Sequence, residues 1–249
     1  MKHRISIIVF ILAFGLTFLL IEDDTTAILV AGCEALIFLI VMLLGSFNIR
    51  WNWFLKSINN VDAGQICLTF DDGPDENTNK ILDVLDKNGI KGTFFVIGKK
   101  CRNHTGILKR LVQGGHVIGN HSYSHEKRLG WAGTSIFRNE ISKTNDVVEE
   151  ITKKRPRYFR PPFGVTNPNI ARAISQTKMK SVGWSLRSYD TFYTNVDKLS
   201  GRIKAKLNKN GDIVLMHDTC SHSVPALNEL IAECKKRGMK FVTVEQLKQ

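Results

Sequence analysis

Hydrophobic positions follow two regimes along this chain. Residues 5–21 form an apolar run of 17 residues, and residues 27–45 form a second of 19, broken only by Glu34. Each approaches the roughly 20 residues a helix needs to cross the hydrocarbon core of a bilayer. The acids Glu22, Asp23 and Asp24 between them predict a turn, so the two runs read as a hairpin of two transmembrane helices. A charge such as Glu34 costs about 2.5–3.5 kcal/mol near the middle of a span, which the surrounding Leu, Ile, Val and Phe side chains offset. No small-x-small site separates residues 5–21 from the acidic loop, which favours a retained anchor over a cleaved signal peptide.

From residue 65 the pattern changes. Short apolar runs at 65–70, 93–97, 116–119, 158–160, 180–185, 212–216 and 240–244 predict strands. Stretches such as 78–88 and 224–236 lie between them, with Ile81, Leu82, Val84 and Leu85, or Leu227, Leu230 and Ile231, near one face. Gly89, Gly114 and Gly238 fall where such helices stop. Strand–helix alternation predicts an α/β fold with a parallel sheet and helices outside it. Seven units in the 185 residues 65–249 fall short of the about 250 residues of a complete eightfold barrel. The expectation is an incomplete or distorted (β/α) barrel of about seven parallel strands, preceded by two N-terminal transmembrane helices. Residues 1–46 are then a membrane anchor and 65–249 a globular domain. Residues 47–64 read as an interfacial linker whose Trp51, Trp53 and Phe54 sit at headgroup level.

Charge adds a location and removes a partner. Residues 1–56 hold four basic and four acidic side chains, so the net charge of +12 belongs to the remainder. A basic domain beside a membrane attracts anionic lipid or an acidic glycan carrier, although a lysine-rich soluble surface would carry the same charge. No nucleic-acid-binding motif accompanies it, so nucleic acid is not expected as a partner. Lys2 and Arg4 precede the first run, and Arg50 and Lys56 follow the second. The positive-inside rule therefore favours the cytoplasmic over the extracytoplasmic side for both ends, and the globular domain, of a multi-pass membrane protein. The five cysteines are odd in number, dispersed and never in a C-x-x-C pair, which excludes a disulfide framework or zinc knuckle and agrees with a reducing compartment.

Polar residues with chemical potential follow the strands. Asp71 and Asp72 come after the first, His121 and His125 after the third, and Arg160 closes the fourth; Asp190 lies beyond the fifth and His217 ends the sixth. In a barrel these strand ends converge on one face. Two imidazoles four residues apart and one aspartate would make a two-His, one-carboxylate metal set, although two histidines at that spacing also arise by chance or cap a helix. Asp71-Asp72-Gly73-Pro74 reads equally as a turn, but an apolar strand running straight into two carboxylates allows one to bind metal while the other serves as a base. Trp184 suits either the core or a sugar platform.

Four motifs in order then carry a resemblance: Thr69-Phe70-Asp71-Asp72-Gly73-Pro74, His121-Ser122-Tyr123-Ser124-His125, Arg160-Pro161-Pro162-Phe163 and Leu215-Met216-His217. Together, over roughly residues 65–247, they resemble the polysaccharide deacetylase family, also called the NodB-homology domain or carbohydrate esterase family 4. The resemblance implies that 65–249 is a catalytic domain that hydrolyses an N-acetyl group of an amino sugar in a polysaccharide, peptidoglycan or lipid-linked glycan. It implies a divalent metal, zinc or alternatively cobalt, manganese or nickel, held by Asp72, His121 and His125. Asp71 is similar to the family's general base, Arg160 to the arginine that orients it, and His217 to the acid that protonates the departing amine. Phe163 lies where a backbone N–H stabilises the oxyanion, and Leu215 resembles the wall for the acetyl methyl. Where many relatives read Asp-x-x-Asp-Trp, this chain has Arg187-Ser188-Tyr189-Asp190-Thr191. Asp190 is retained and would raise the pKa of His217; Arg187 and Thr191 leave open an amidohydrolase acting on a non-sugar C–N bond. A third alternative, a carbohydrate-binding pseudoenzyme, is disfavoured by the intact set of ligands, base and acid. His104, His116 and His222 match no motif and are expected to have no ligand role.

Overall fold

A computed structural model describes residues 2–247. The apolar runs form two helices, α1 (Lys2–Leu20) and α2 (Asp24–Phe47), each long and apolar enough to cross a membrane. They lie side by side, with Phe10 stacked on Phe38 at 4.4 Å between ring centroids. Asp23 caps α2 by accepting from the Thr26 N–H at 2.7 Å. Between the helices the Thr17 hydroxyl donates to Glu34 Oε1 at 2.9 Å, so the carboxylate within the second run has a polar partner on the first.

The rest of the described chain builds a curled parallel sheet in the order β1 (Ser57–Ile58), β6 (Lys180–Val182), β5 (Tyr158–Phe159), β4 (Val117–Asn120), β3 (Thr93–Val96), β2 (Gln65–Asp71), β8 (Asp212–His217), β7 (Leu186–Arg187). A ninth strand, β9 (Lys240–Val242), pairs with Gln65–Cys67 of β2, below the residues that pair with β3. Packed outside are α3 (Glu76–Asn88), α4 (Gly98–Cys101), α5 (Thr105–Gln113), α6 (Thr134–Thr152), α7 (Pro168–Gln176), α8 (Val196–Lys206) and α9 (Ser223–Lys236). The local signals are clear in α3, where Asp75 and Thr78 form a capping box and Gly89 ends the helix at φ 66. At the end of α5 Gly114 caps the helix as expected, and Gly115 follows in the left-handed region (φ 72).

Period-two alternation along β2 sorts its side chains. Ile66, Leu68 and Phe70 join the large core under the helices, with Ile81, Leu85, Leu227 and Leu230. Cys67 belongs to a second cluster, built mainly from strands, that fills the barrel interior with Phe95, Val117, Val182 and Ile213. Thr69 and Asp71 continue that inward row toward the C-terminal rim.

Two expectations are corrected. The run 180–185 is not one strand. The chain leaves the β1 side after Gly183, whose N–H donates to Ile58 O at 2.9 Å, and rejoins the opposite edge at Ser185, whose N–H donates to Ile213 O at 3.1 Å. A Cβ on Gly183 would stand 2.0 Å from Asn59 Oδ1, so a larger residue at this crossing would displace the Asn59 side chain. The barrel is therefore open between its edge strands and bridged there by residues 183–185. The second correction concerns 47–64, expected as a linker: Ser57–Ile58 joins the sheet as β1, and Ile49, Phe54 and Leu55 are buried. Phe54 packs on the His3 ring, at the start of α1, at 5.1 Å, whereas Trp51 remains exposed.

Phe94 is fully buried and stacked on Phe70 at 4.8 Å. Phe94→Ala should destabilise the domain by about 3–5 kcal/mol. Thermal unfolding of the detergent-solubilised chain should show a clearly lower midpoint, and an unchanged midpoint would contradict this core assignment.

Candidate active site

Asp71 is the last residue of β2, in register with His217 on β8 and Phe95 on β3. Asp72 follows in the left-handed region at φ 75, a conformation aspartate tolerates better than most residues. Strand alternation would send adjacent side chains to opposite faces; this turn lets both carboxylates face one cavity of about 240 Å³.

The side chain of Arg160 is wholly buried. Its Nη1 donates to Asp71 Oδ1 and to Thr69 Oγ1, both at 2.8 Å, while Nε and Nη2 donate to the carbonyls of Val182 (3.2 Å) and Gly183 (2.6 Å). The guanidinium lies 4.3 Å from the centre of the Phe95 ring. Asp71 thus presents Oδ2 to the cavity, 3.8 Å from His121 Nε2.

His121 and His125 sit on the loop after β4, not on a helical turn. Asn120 donates to Ile141 O and Asn145 Oδ1 and accepts from the Ser122 N–H, and Glu140 Oε2 on α6 accepts from the N–H groups of Tyr123 and Ser124. His121 Nδ1 bonds the Arg160 carbonyl at 2.8 Å, which leaves Nε2 turned to Asp72 Oδ1 at 3.5 Å; His125 Nε2 is 3.4 Å from the same oxygen. Ligand atoms of Asp72, His121 and His125 lie within 4.8 Å of one another, and Asp72 Oδ1 is buried without a hydrogen-bond partner. An orphaned carboxylate oxygen beside two imidazole nitrogens fits a divalent transition metal. Burial, followed by the charge of His121, holds His125 down at about 4, leaving it neutral and able to offer a lone pair.

His217 has the opposite environment. Burial acts to lower its pKa, but the Asp190 hydrogen bond and charge, with Asp71 and Asp72, raise it to about 9. Its Nδ1 is 2.7 Å from Asp190 Oδ1, and its Nε2 is 4.0 Å from Asp72 Oδ2. Asp190, itself buried, also accepts from the His217 N–H and Ser223 Oγ, both at 2.7 Å; against the upward push of burial, these contacts hold it below the usual carboxylate range.

Every expected site residue except Arg160 and Asp190, which lie behind Asp71 and His217, lines the cavity. Phe163, at φ 59, places its ring 4.6 Å from His125. Leu215 and Trp184 form walls, and a Cβ on Gly164 would meet the Trp184 ring at 2.3 Å. Arg187 and Thr191, the departures from the motif, line the mouth with Phe192. His116 lies elsewhere, accepting from the Gly92 N–H at 3.1 Å. His222, for which no ligand role was expected, supports the site from behind: its ring bonds the Asp190 carbonyl. Asp218, also missed, is fully buried beneath the Asp72 turn, where Thr78 Oγ1 donates to it at 2.7 Å. Burial, with the charges of Asp72 and Asp71 and against the Thr78 hydrogen bond, raises it to about 7. The sequence signal for Asp218 was its adjacency to His217; Glu140 and Ser223 carried none.

Residues 58–182 match the sequence model of the family Polysaccharide deacetylase. The chain is 34% identical over 193 residues to the peptidoglycan-N-acetylglucosamine deacetylase of Bacillus cereus, across 76% of this chain and 70% of that protein. It is 33% identical over 184 residues to the peptidoglycan-N-acetylglucosamine deacetylase PgdA of Listeria monocytogenes, 74% of this chain but only 38% of that longer relative. The solved structure of the Bc1960 peptidoglycan N-acetylglucosamine deacetylase superposes with a TM-score of 0.72 at 31% identity, covering 77% of this chain and 92% of that one. The chain belongs to the polysaccharide deacetylase family, hydrolases of carbon–nitrogen bonds.

In Asp190→Asn, the forces raising His217 weaken and burial dominates, so its titration midpoint, followed by NMR, should fall from about 9 to below the ordinary value of about 6.5. The wild-type imidazolium favours the fold below pH about 6.5, and that contribution is lost as pH rises toward about 9. The variant should lack this alkaline loss of stability; an unshifted midpoint would rule out Asp190 as its cause.

Proposed function

We propose that this chain is a membrane-anchored, metal-dependent N-deacetylase that removes acetyl groups from amino sugars of a glycan or lipid-linked glycan. The observation that carries the reading is the meeting, in one cavity, of the clamped carboxylate Asp71, the protonated imidazole His217 and the Asp72–His121–His125 cluster. Those three residues would hold a divalent ion, zinc or cobalt, manganese or nickel in its place, which when bound polarises the amide carbonyl and acidifies a water. Asp71 takes a proton from the attacking water through Oδ2, its other oxygen being fixed on Arg160. The backbone N–H of Phe163 stabilises the oxyanion, and Leu215 receives the acetyl methyl. His217 Nε2 delivers a proton to the nitrogen as the C–N bond breaks, with Asp190 holding Nδ1, so water and amide become acetate and amine.

The anchor comprises residues 1–46, with the catalytic domain following. Its orientation is supported by Lys2 Nζ, which donates to Trp51 O at 2.9 Å, bringing the start of α1 to the end of α2. Lys2, Arg4, Arg50 and Lys56 then share one side, and Glu22, Asp23 and Asp24 the other. That asymmetry favours a cytoplasmic domain and a membrane-borne biosynthetic substrate over mature wall glycan. Arg187 and Thr191 at the mouth keep a non-sugar amide as the second reading.

Detergent-solubilised protein should release acetate from N-acetylglucosamine oligomers with zinc or cobalt, lose this with EDTA, and lose at least about 10²-fold in Asp71→Asn. Release indifferent to EDTA and to Asp71→Asn would refute the mechanism, and bound metal without release from any amino sugar would favour the non-sugar amide.

A further inference from the structure

A cluster of positive charge adjoins the catalytic cavity. A cavity of about 870 Å³ is lined by Arg50, Arg187, Arg202 and Lys206, and among the described residues Asp212 is the one acid on its walls. Asp212 is already engaged, accepting from Ser185 Oγ and the Asn208 N–H, each at 2.6 Å. Nε of Arg187 and Nε of Arg202 are both buried without a hydrogen-bond partner. Buried guanidinium nitrogens are normally satisfied, and two orphans on half-buried arginines that line one cavity leave both guanidiniums with donors to spare. The two groups are nevertheless held in place: both lie against Tyr189, 4.9 and 4.5 Å from its ring centre. Planar, fixed donor forks of this kind suit the oxygens of a phosphate.

Position narrows the ligand. Phe47, the last residue of α2, and Asn48 and Ile49 just beyond it line the same cavity. With α2 in a bilayer, the cavity lies at headgroup depth, where the phosphate of a membrane lipid resides. Trp184 and Arg187 line both this cavity and the catalytic one, so the two share a wall. We infer that the arginine-lined cavity binds the phosphate of a lipid-linked amino sugar, with the sugar's N-acetyl group reaching the adjoining site between Asp71 and His217. The inference rests on the deacetylase reading for the reaction, but not for the binding.

The test uses the full chain in detergent and compares three ligands by calorimetry: an N-acetylglucosaminyl phosphate on a long alkyl chain, the corresponding alkyl glycoside without phosphate, and free N-acetylglucosamine 1-phosphate. The lipid-linked phosphate should bind at least about tenfold more tightly than either of the others. Arg202→Gln, and independently the exposed pair Arg50→Gln with Lys206→Gln, should abolish the advantage over the glycoside while leaving affinity for the glycoside within about twofold. Equal binding of phosphate and glycoside, or an advantage that survives both variants, overturns the site; equal binding of the free sugar phosphate overturns the lipid assignment. Acetate is measured on the same samples after zinc or cobalt is added. Binding as expected without acetate would refute the deacetylase reading while leaving the phosphate site standing.

Discussion

The buried contact between Arg160 and Asp71 is the constraint on which the rest of the site depends. A guanidinium with no exposure carries a desolvation cost of several kcal/mol, and here the compensation is distributed. Asp71, the Thr69 hydroxyl, two carbonyls on or just after β6 and the face of Phe95 surround it. The backbone of the same residue extends its reach, because its N–H pairs with Asn120 and its carbonyl fixes His121 Nδ1. One residue therefore sets the direction of a candidate base with its side chain and of a candidate ligand with its main chain. A cavity or a mispaired donor at this point would disturb both.

Two histidines lining one cavity differ in charge because their surroundings differ. His125, buried beside another imidazole, is held neutral; His217, buried beside a committed carboxylate, is held charged. Divergence of this sort is how a protein separates a lone-pair donor from a proton donor using one kind of ring.

Much of this was legible in the sequence where the information is local. The short apolar runs of the strands, the one-sided apolar pattern of α3 and the motif residues at strand ends lead directly to the fold class and to most of the residues lining the cavity. What escaped depends on distant partners. Two-residue strands such as β1 and β7 have no periodicity to read, and nothing within 180–185 indicates that its halves belong to opposite edges of the sheet. The burial of Phe54 depends on His3, far earlier in the chain. Glu140, Ser223 and His222 act through contacts that only the folded chain creates, and so no spacing rule announces them.

Residues 48–56 are the whole connection between α2 and the first strand, and several are packed against the domain. With the hairpin in a bilayer, so short a strap denies the catalytic domain any reach into the surrounding volume. Were the substrate also borne in the membrane, encounter would become lateral diffusion in two dimensions, and turnover would follow molecules per unit area of lipid, whatever the bulk concentration.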